Sequence, residues 1–261
     1  MWRLSAGFSM AGFSEGEVER YARHLVLKEI GGPGQQKLKA AKVLIIGAGG
    51  LGGPAAMYLA AAGVGRIGLA DPDRVSLSNL QRQVLFDTND LDRRKVDAGG
   101  ERLVSLNPHV ELDAYEAAVT ARNAPALVSG FDVVLDGTDD FETRAAVNAA
   151  CVAARRPLVS GALGRWSGQV GVFEGRPCWR CLVPETPPDA ETCAAVGVVG
   201  ALAGVIGAMM ALETVKHITG AGESLKGRLL MYNGLAGTSR TARIPPDPAC
   251  PVCSVGVTSP R

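Results

Sequence analysis

Apolar positions fall along this chain in short continuous runs closed by glycines or acids, the pattern of strands buried on both faces of a parallel sheet. Val43-Leu44-Ile45-Ile46 is the first run, and Gly47, Gly49 and Gly52 follow it in G-x-G-x-x-G spacing. Pro54 to Ala62 is alanine-rich and predicts a helix ending near Gly63. A second run, Arg66 to Ala70, ends at Asp71, 19 positions after the third glycine. The pattern thus predicts a strand, a glycine turn, a helix and a second strand closed by an acid. Val110 to Tyr115, Val133 to Leu135, Pro157 to Ala162, Gly168 to Phe173 and Arg228 to Tyr232 predict further strands. Glu15 to Lys28, Gln35 to Ala41, Asp92 to Leu106, Phe141 to Ala154 and Val198 to Thr219 predict helices. Ser14 and Glu17 form a capping box for the first, and Gly31-Gly32-Pro33-Gly34 breaks it. Residues 1–14 are expected to be disordered.

The glycine unit has a specific physical use. The first glycine permits a tight turn, the second lets backbone approach a phosphate, and the third lets the helix pack on the strand. The helix N-terminus offers free N–H groups to an anion. Asp71 stands where a ribose hydroxyl can be bound. The unit predicts a nucleotide site and does not choose between NAD, FAD and ATP. There is no G-x-x-x-x-G-K-[ST], so ATP here is not held by a P-loop.

Two polar stretches leave predicted strand ends, where open α/β sheets bind ligands. The first runs from Pro72 to Gln83, and within it Asn79 and Arg82 are three apart, so one helical turn would aim both at the same phosphates. A polar loop that only covers the sheet edge fits equally. Arg93, Arg94 and Lys95 fall near the start of the next predicted helix, where cations are unfavourable unless an anion compensates. The second stretch is Asp136-Gly137-Thr138-Asp139-Asp140. Carboxylates there suit Mg²⁺, which takes one or two carboxylates plus phosphate oxygens, and also suit a helix N-cap. Both hold together if Asp140 caps and Asp139 meets metal.

Composition narrows the picture. At 261 residues, 47% hydrophobic and 20% charged with a net charge of +1, the chain is an ordinary globular one, and nothing points to nucleic acid or a membrane surface. The first 20 residues lack the apolar core of a signal peptide, and Val196 to Leu212, interrupted by four glycines, reads as a buried helix. A cytoplasmic location is expected. Cys178-x-x-Cys181 and Cys250-x-x-Cys253 predict a closed four-thiolate zinc site, structural in kind, contributing on the order of 10 kcal/mol to folding. A redox C-x-x-C is the rival reading. Cys151 reads as core. Cys193 lies between a proline-rich loop and an apolar helix, and a nucleophile, a sulfur carrier and an inert thiol all remain open.

Taken together, Arg20-Tyr21-Ala22-Arg23, Gly47-x-Gly49-Gly50-x-Gly52, Asp71-x-Asp73, Ser76 to Gln83, Lys95, Asp136-x-x-Asp139 and both C-x-x-C pairs resemble the MoeB/ThiF family. That family comprises the bacterial relatives of ubiquitin-activating enzymes. The resemblance covers Arg20 to Cys253 and implies one adenylyltransferase domain over residues 15–261. Its expected fold is α/β and Rossmann-like: a mostly parallel sheet, helices on both faces, an antiparallel extension and the zinc site. It implies MgATP-dependent adenylation of the C-terminal glycine carboxylate of a small ubiquitin-like sulfur-carrier protein ending in Gly-Gly. By resemblance, Gly47, Gly49, Gly50 and Gly52 form the nucleotide loop, and Asp71 and Asp73 bind the nucleotide. Asn79, Arg82 and Lys95 contact the triphosphate, and Asp139 binds Mg²⁺. Spacing alone makes the first helix a solvated amphipathic one; the resemblance instead makes Arg23 the arginine that reaches into the other subunit's site, which implies a homodimer. Cys193 matches the cysteine of a T-C-x-x-x-G segment that in some members joins the carrier covalently. His24, Asp92, Arg94 and Asp140 depart from the family pattern. No rhodanese-like segment follows Cys253, so a separate sulfur donor is expected. The competing classes are an NAD- or FAD-dependent oxidoreductase, a non-catalytic scaffold for a ubiquitin-like partner, and an enzyme that adenylates a peptide or small acid.

Overall fold

The computed structural model describes residues 12–185 and 197–254. In chain order the elements are α1 (Glu15–Arg20), α2 (Ala22–Leu25), α3 (Gly31–Ala40), β1 (Lys42–Ile46), α4 (Gly52–Ala62), β2 (Arg66–Ala70), α5 (Lys95–Leu106) and β3 (Glu111–Tyr115). Then come α6 (Ala124–Ser129), β4 (Val133–Asp136), α7 (Phe141–Ala154), β5 (Leu158–Leu163), β6 (Ser167–Phe173), α8 (Trp179–Leu182), α9 (Gly200–Thr219), β7 (Arg228–Asn233) and β8 (Thr238–Arg243). Short 3₁₀ turns at Leu77–Asn79 and Thr88–Asp90 lie between β2 and α5.

One eight-stranded sheet runs in the order β3-β2-β1-β4-β5-β6-β7-β8. The first five strands are parallel, and β5 to β8 pair antiparallel. Alternate residues of β1 feed two cores: Val43 and Ile45 join Leu59, Leu103 and Ile206, while Leu44 and Ile46 join Val128, Val147 and Cys151. The sheet therefore carries α4, α5 and α9 on one face and α6 and α7 on the other. The expected α/β, Rossmann-like architecture with an antiparallel extension is the one observed. β1 lies between β2 and β4, so the chain leaves it to opposite sides and a crevice opens at its carboxyl end.

Several boundaries differ from the sequence expectation. The first helix splits at Tyr21, whose ring is buried and whose hydroxyl accepts from Asn107 Nδ2 at 2.8 Å. Gly31 to Gly34 open α3 instead of breaking a helix. Pro33 sits in its first turn, where a missing N–H costs nothing. α5 starts at Lys95, because Asp92 takes a left-handed φ of 64° and Arg94 bridges to Arg74. Arg93 and Arg94 are therefore outside the helix and are spent on acids: Arg93 on Asp90 and Glu101, Arg94 on Glu116. Their placement needs no ligand to explain it. α9 is long and apolar enough to cross a membrane by length and composition, but it packs against α3, α4, β5 and β6. Of the first 14 residues, 1–11 are outside the described residues, and the Phe13 ring meets Tyr21 edge-on with centroids 6.4 Å apart.

Candidate active site

A cleft of about 760 Å³ opens at the carboxyl ends of β1, β2 and β4. Gly47, Gly49, Gly50, Asp71, Asp73, Asn79, Arg82, Lys95 and Asp139 all line it. These residues are thus brought together from five separate stretches of chain. Gly47 has φ +85°, a left-handed turn that only glycine adopts freely. Gly52 lies behind the loop: a Cβ there would stand 1.8 Å from the Gly47 carbonyl oxygen, so α4 could not start where it does. The third glycine is needed for packing, as the sequence implied.

Asp71 organises the loop. Its carboxylate accepts from Ala48 N at 2.8 Å and from Asp73 N at 2.9 Å. Burial pushes its carboxyl above the usual range, while Lys95 and those two N–H groups pull the other way. The Lys95 ammonium is buried, 2.8 Å from Asp73 and 3.7 Å from Asp71. Asn79 ends a 3₁₀ turn, and its carbonyl accepts from the backbone N–H groups of Arg82 and Gln83. The Arg82 stem lies over Gly50, and its guanidinium donates to Ser78 O. Two cations and the loop N–H groups therefore share one wall.

Facing them is the β4–α7 turn. Asp140 caps α7 by accepting from Thr143 N at 2.7 Å, and its hydrogen bonds to Thr143 hold its carboxyl below the usual range. Asp139 is exposed to the cleft and, among the described residues, has no hydrogen-bond or ion-pair partner. A free carboxylate beside a cationic wall fits a hard divalent ion shared with phosphate oxygens.

The four cysteines converge. Cys178, Cys181, Cys250 and Cys253 place their Sγ atoms within 4.8 Å of one another. A tetrahedral four-thiolate zinc site has edges of about 3.8 Å, and Cys178–Cys250 and Cys181–Cys253 stand at 3.7 and 3.4 Å. Those separations are well beyond a disulfide bond. Asn148 Nδ2 and Asp247 N both donate to these sulfurs at 3.5 Å. The knuckle adjoins the cleft, since Trp179 and Leu182 line it.

Arg23 is exposed and does not line the cleft of its own chain. Cys193 lies outside the described residues. Cys151 is buried, and burial pushes its thiol up to about 12, so it is inert core as expected. Sequence reading missed Arg144 and Asn148, both buried on α7. Their signal was there: an arginine and an asparagine four apart in a helix otherwise rich in alanine and valine.

Fold and cleft define a Rossmann-like nucleotide-binding enzyme. The ThiF family profile matches residues 21–252, and a sulfur carrier protein adenylyltransferase of Thermus thermophilus is 44% identical over 246 residues, 91% of each chain. MOCS3 of Anopheles gambiae, an adenylyltransferase and sulfurtransferase, is 47% identical over 91% of this chain; the chain spans about half of it (55%). Among solved structures, E. coli MccB with MccA-N7isoASN superposes with a TM-score of 0.80 at 23% identity, covering 93% of this chain and 76% of MccB. PaaA does so at 0.79 and 24%, covering 93% and 78%. The chain belongs to the ThiF family and is an adenylyltransferase.

Proposed function

We propose that this protein uses ATP and Mg²⁺ to adenylate the C-terminal glycine carboxylate of a small ubiquitin-like sulfur carrier, releasing pyrophosphate and preparing the carrier for thiocarboxylation. The observation that carries the reading is Asp139, a carboxylate with no partner among the described residues, facing Arg82, Lys95 and the glycine loop across one cleft. The glycine-loop N–H groups, Asn79, Arg82 and Lys95 bind the triphosphate, and Asp71 and Asp73 the ribose side. Lys95 then exchanges part of its pairing with Asp73 for phosphate. The attacking carboxylate is already ionised at neutral pH, so the site needs cations and no general base. Mg²⁺, held by Asp139, would neutralise charge developing on the phosphates.

Arg23 serves the site of a second copy in a homodimer. Its own cleft does not contain it, and Val26 and Leu27 beside it are exposed apolar residues suited to burial in that interface. Cys193 receives or relays sulfur, and a separate protein supplies it. The four thiolates hold zinc and brace the fold. The work is done in the cytoplasm. Support for the substrate comes from the names of the T. thermophilus and MOCS3 relatives.

ATP–pyrophosphate exchange with candidate carriers ending in Gly-Gly tests the reading. Exchange that depends on one carrier and is lost in Asp139→Ala is expected; normal exchange in that variant would refute the metal assignment. Mixing Arg23→Ala with Asp139→Ala protein should restore about a quarter of wild-type exchange, because half the random dimers hold one complete site. No restoration would refute the shared site.

A further inference from the structure

We infer that Arg144 is the positioning residue of the metal-binding turn, holding Asp139 in place through contacts to three backbone and side-chain groups around it. The inference rests on the reading of Asp139 as the Mg²⁺ ligand and extends it to a residue outside that ligand set.

Arg144 sits one turn into α7 and is only 6% exposed. Its Nη2 donates to the carbonyl of Thr138 and, at 2.6 Å, to that of Gly161. Its Nη1 donates to Ser160 Oγ at 3.1 Å and stands 3.7 Å from Asp136 Oδ2. Asp136 is fully buried and accepts from Thr138 N at 3.0 Å, from Thr138 Oγ1 at 2.7 Å and from Ser160 Oγ at 3.3 Å. One guanidinium therefore ties the end of β4, the turn after it and the middle of β5 together.

Asp139 is the residue between these anchors. Thr138 is fixed before it and Asp140 is fixed after it as the cap of α7. Its backbone is held on both sides while its carboxylate is left open to the cleft. A flexible turn would spend binding energy on ordering that carboxylate whenever a cation bound. The planar fork also explains why arginine stands here: a lysine keeps the charge that Asp136 requires but offers a single nitrogen where Arg144 uses two, one on Ser160 and the other on Thr138 and Gly161.

The test compares wild type with Arg144→Lys and Asp139→Asn, using Mn²⁺ as the probe in the presence of a non-hydrolysable ATP analogue. Free Mn²⁺ is counted by its paramagnetic resonance signal, and analogue affinity without added divalent ion and melting temperature are measured alongside. The expected result is about a tenfold or greater loss of Mn²⁺ affinity in Arg144→Lys, the scale of outer-shell ligand partners, with metal-free analogue binding unchanged. Unchanged Mn²⁺ affinity in Arg144→Lys, with a loss in Asp139→Asn, overturns the positioning role and leaves the metal assignment standing. Unchanged affinity in Asp139→Asn overturns both. Ser160→Ala removes one acceptor of the fork without altering charge, and it decides the matter if Arg144→Lys does not fold. Weakened Mn²⁺ binding there supports the role, and wild-type binding overturns it.

Discussion

Arg144 and Asn148 stand one turn apart on the same face of α7 and grip different parts of the site. Arg144 reaches the carbonyls of Thr138 and Gly161, while Asn148 accepts from Trp179 N at 2.9 Å and donates to Cys178 Sγ. A single helix thus connects the turn carrying Asp139 to the cysteine knuckle.

Asn148→Ala should weaken zinc binding by about 10- to 100-fold, since it removes a donor to a ligating sulfur and the anchor of the first knuckle. Competition with a chromophoric chelator measures this. An affinity equal to wild type would mean that the sulfur needs no help from α7.

Asp140 is predicted to act as a cap first. Asp140→Ala should cost about 1 kcal/mol, and Asp140→Asn only a few tenths, because asparagine caps as well as aspartate. The folded carboxyl lies below its unfolded value, so its contribution is present above about pH 4 and is lost as pH falls through the folded value. Melting temperatures should therefore fall further in wild type than in Asp140→Asn between pH 5 and pH 3. Parallel curves would show that the charge does not contribute.

Two glycines should respond oppositely to alanine. Gly52→Ala drives a methyl into the Gly47 carbonyl, a backbone contact that cannot yield, and should cost more than about 3 kcal/mol or prevent folding. Gly100, inside α5, has nothing within 4 Å of a new methyl. Its replacement should stabilise the protein by about 0.5–1 kcal/mol. Urea unfolding of both variants checks the pair, and a destabilised Gly100→Ala would contradict the open space.

Local signals carried much of this. The run from Val43 to Asp71 and the full extent of α7 were legible because a buried strand, a glycine turn and a capping acid each act within a few residues. The split at Tyr21 was not, because its cause is Asn107, 86 positions away. β8 was missed because Thr238 to Arg243 is polar and exposed on an edge, held by pairing with β7. α6 was also missed, being six residues long. In the cleft, Lys95 and Asp139 could be named from family pattern. Arg144 could not, since its partners lie on β4 and β5 and only the fold brings them to it.

The reversal of strand direction between β5 and β6 has a consequence for how such a protein can diverge. The glycine loop, Asp71 and Asp139 all belong to the parallel half, while β6, β7 and β8 form an antiparallel array joined to it through β5. On the proposed reading, the residues that spend ATP lie on one side of a single seam, and the exposed edge strand β8 beyond it can be reshaped for a new client. Such a layout lets the client change while the fuel stays the same.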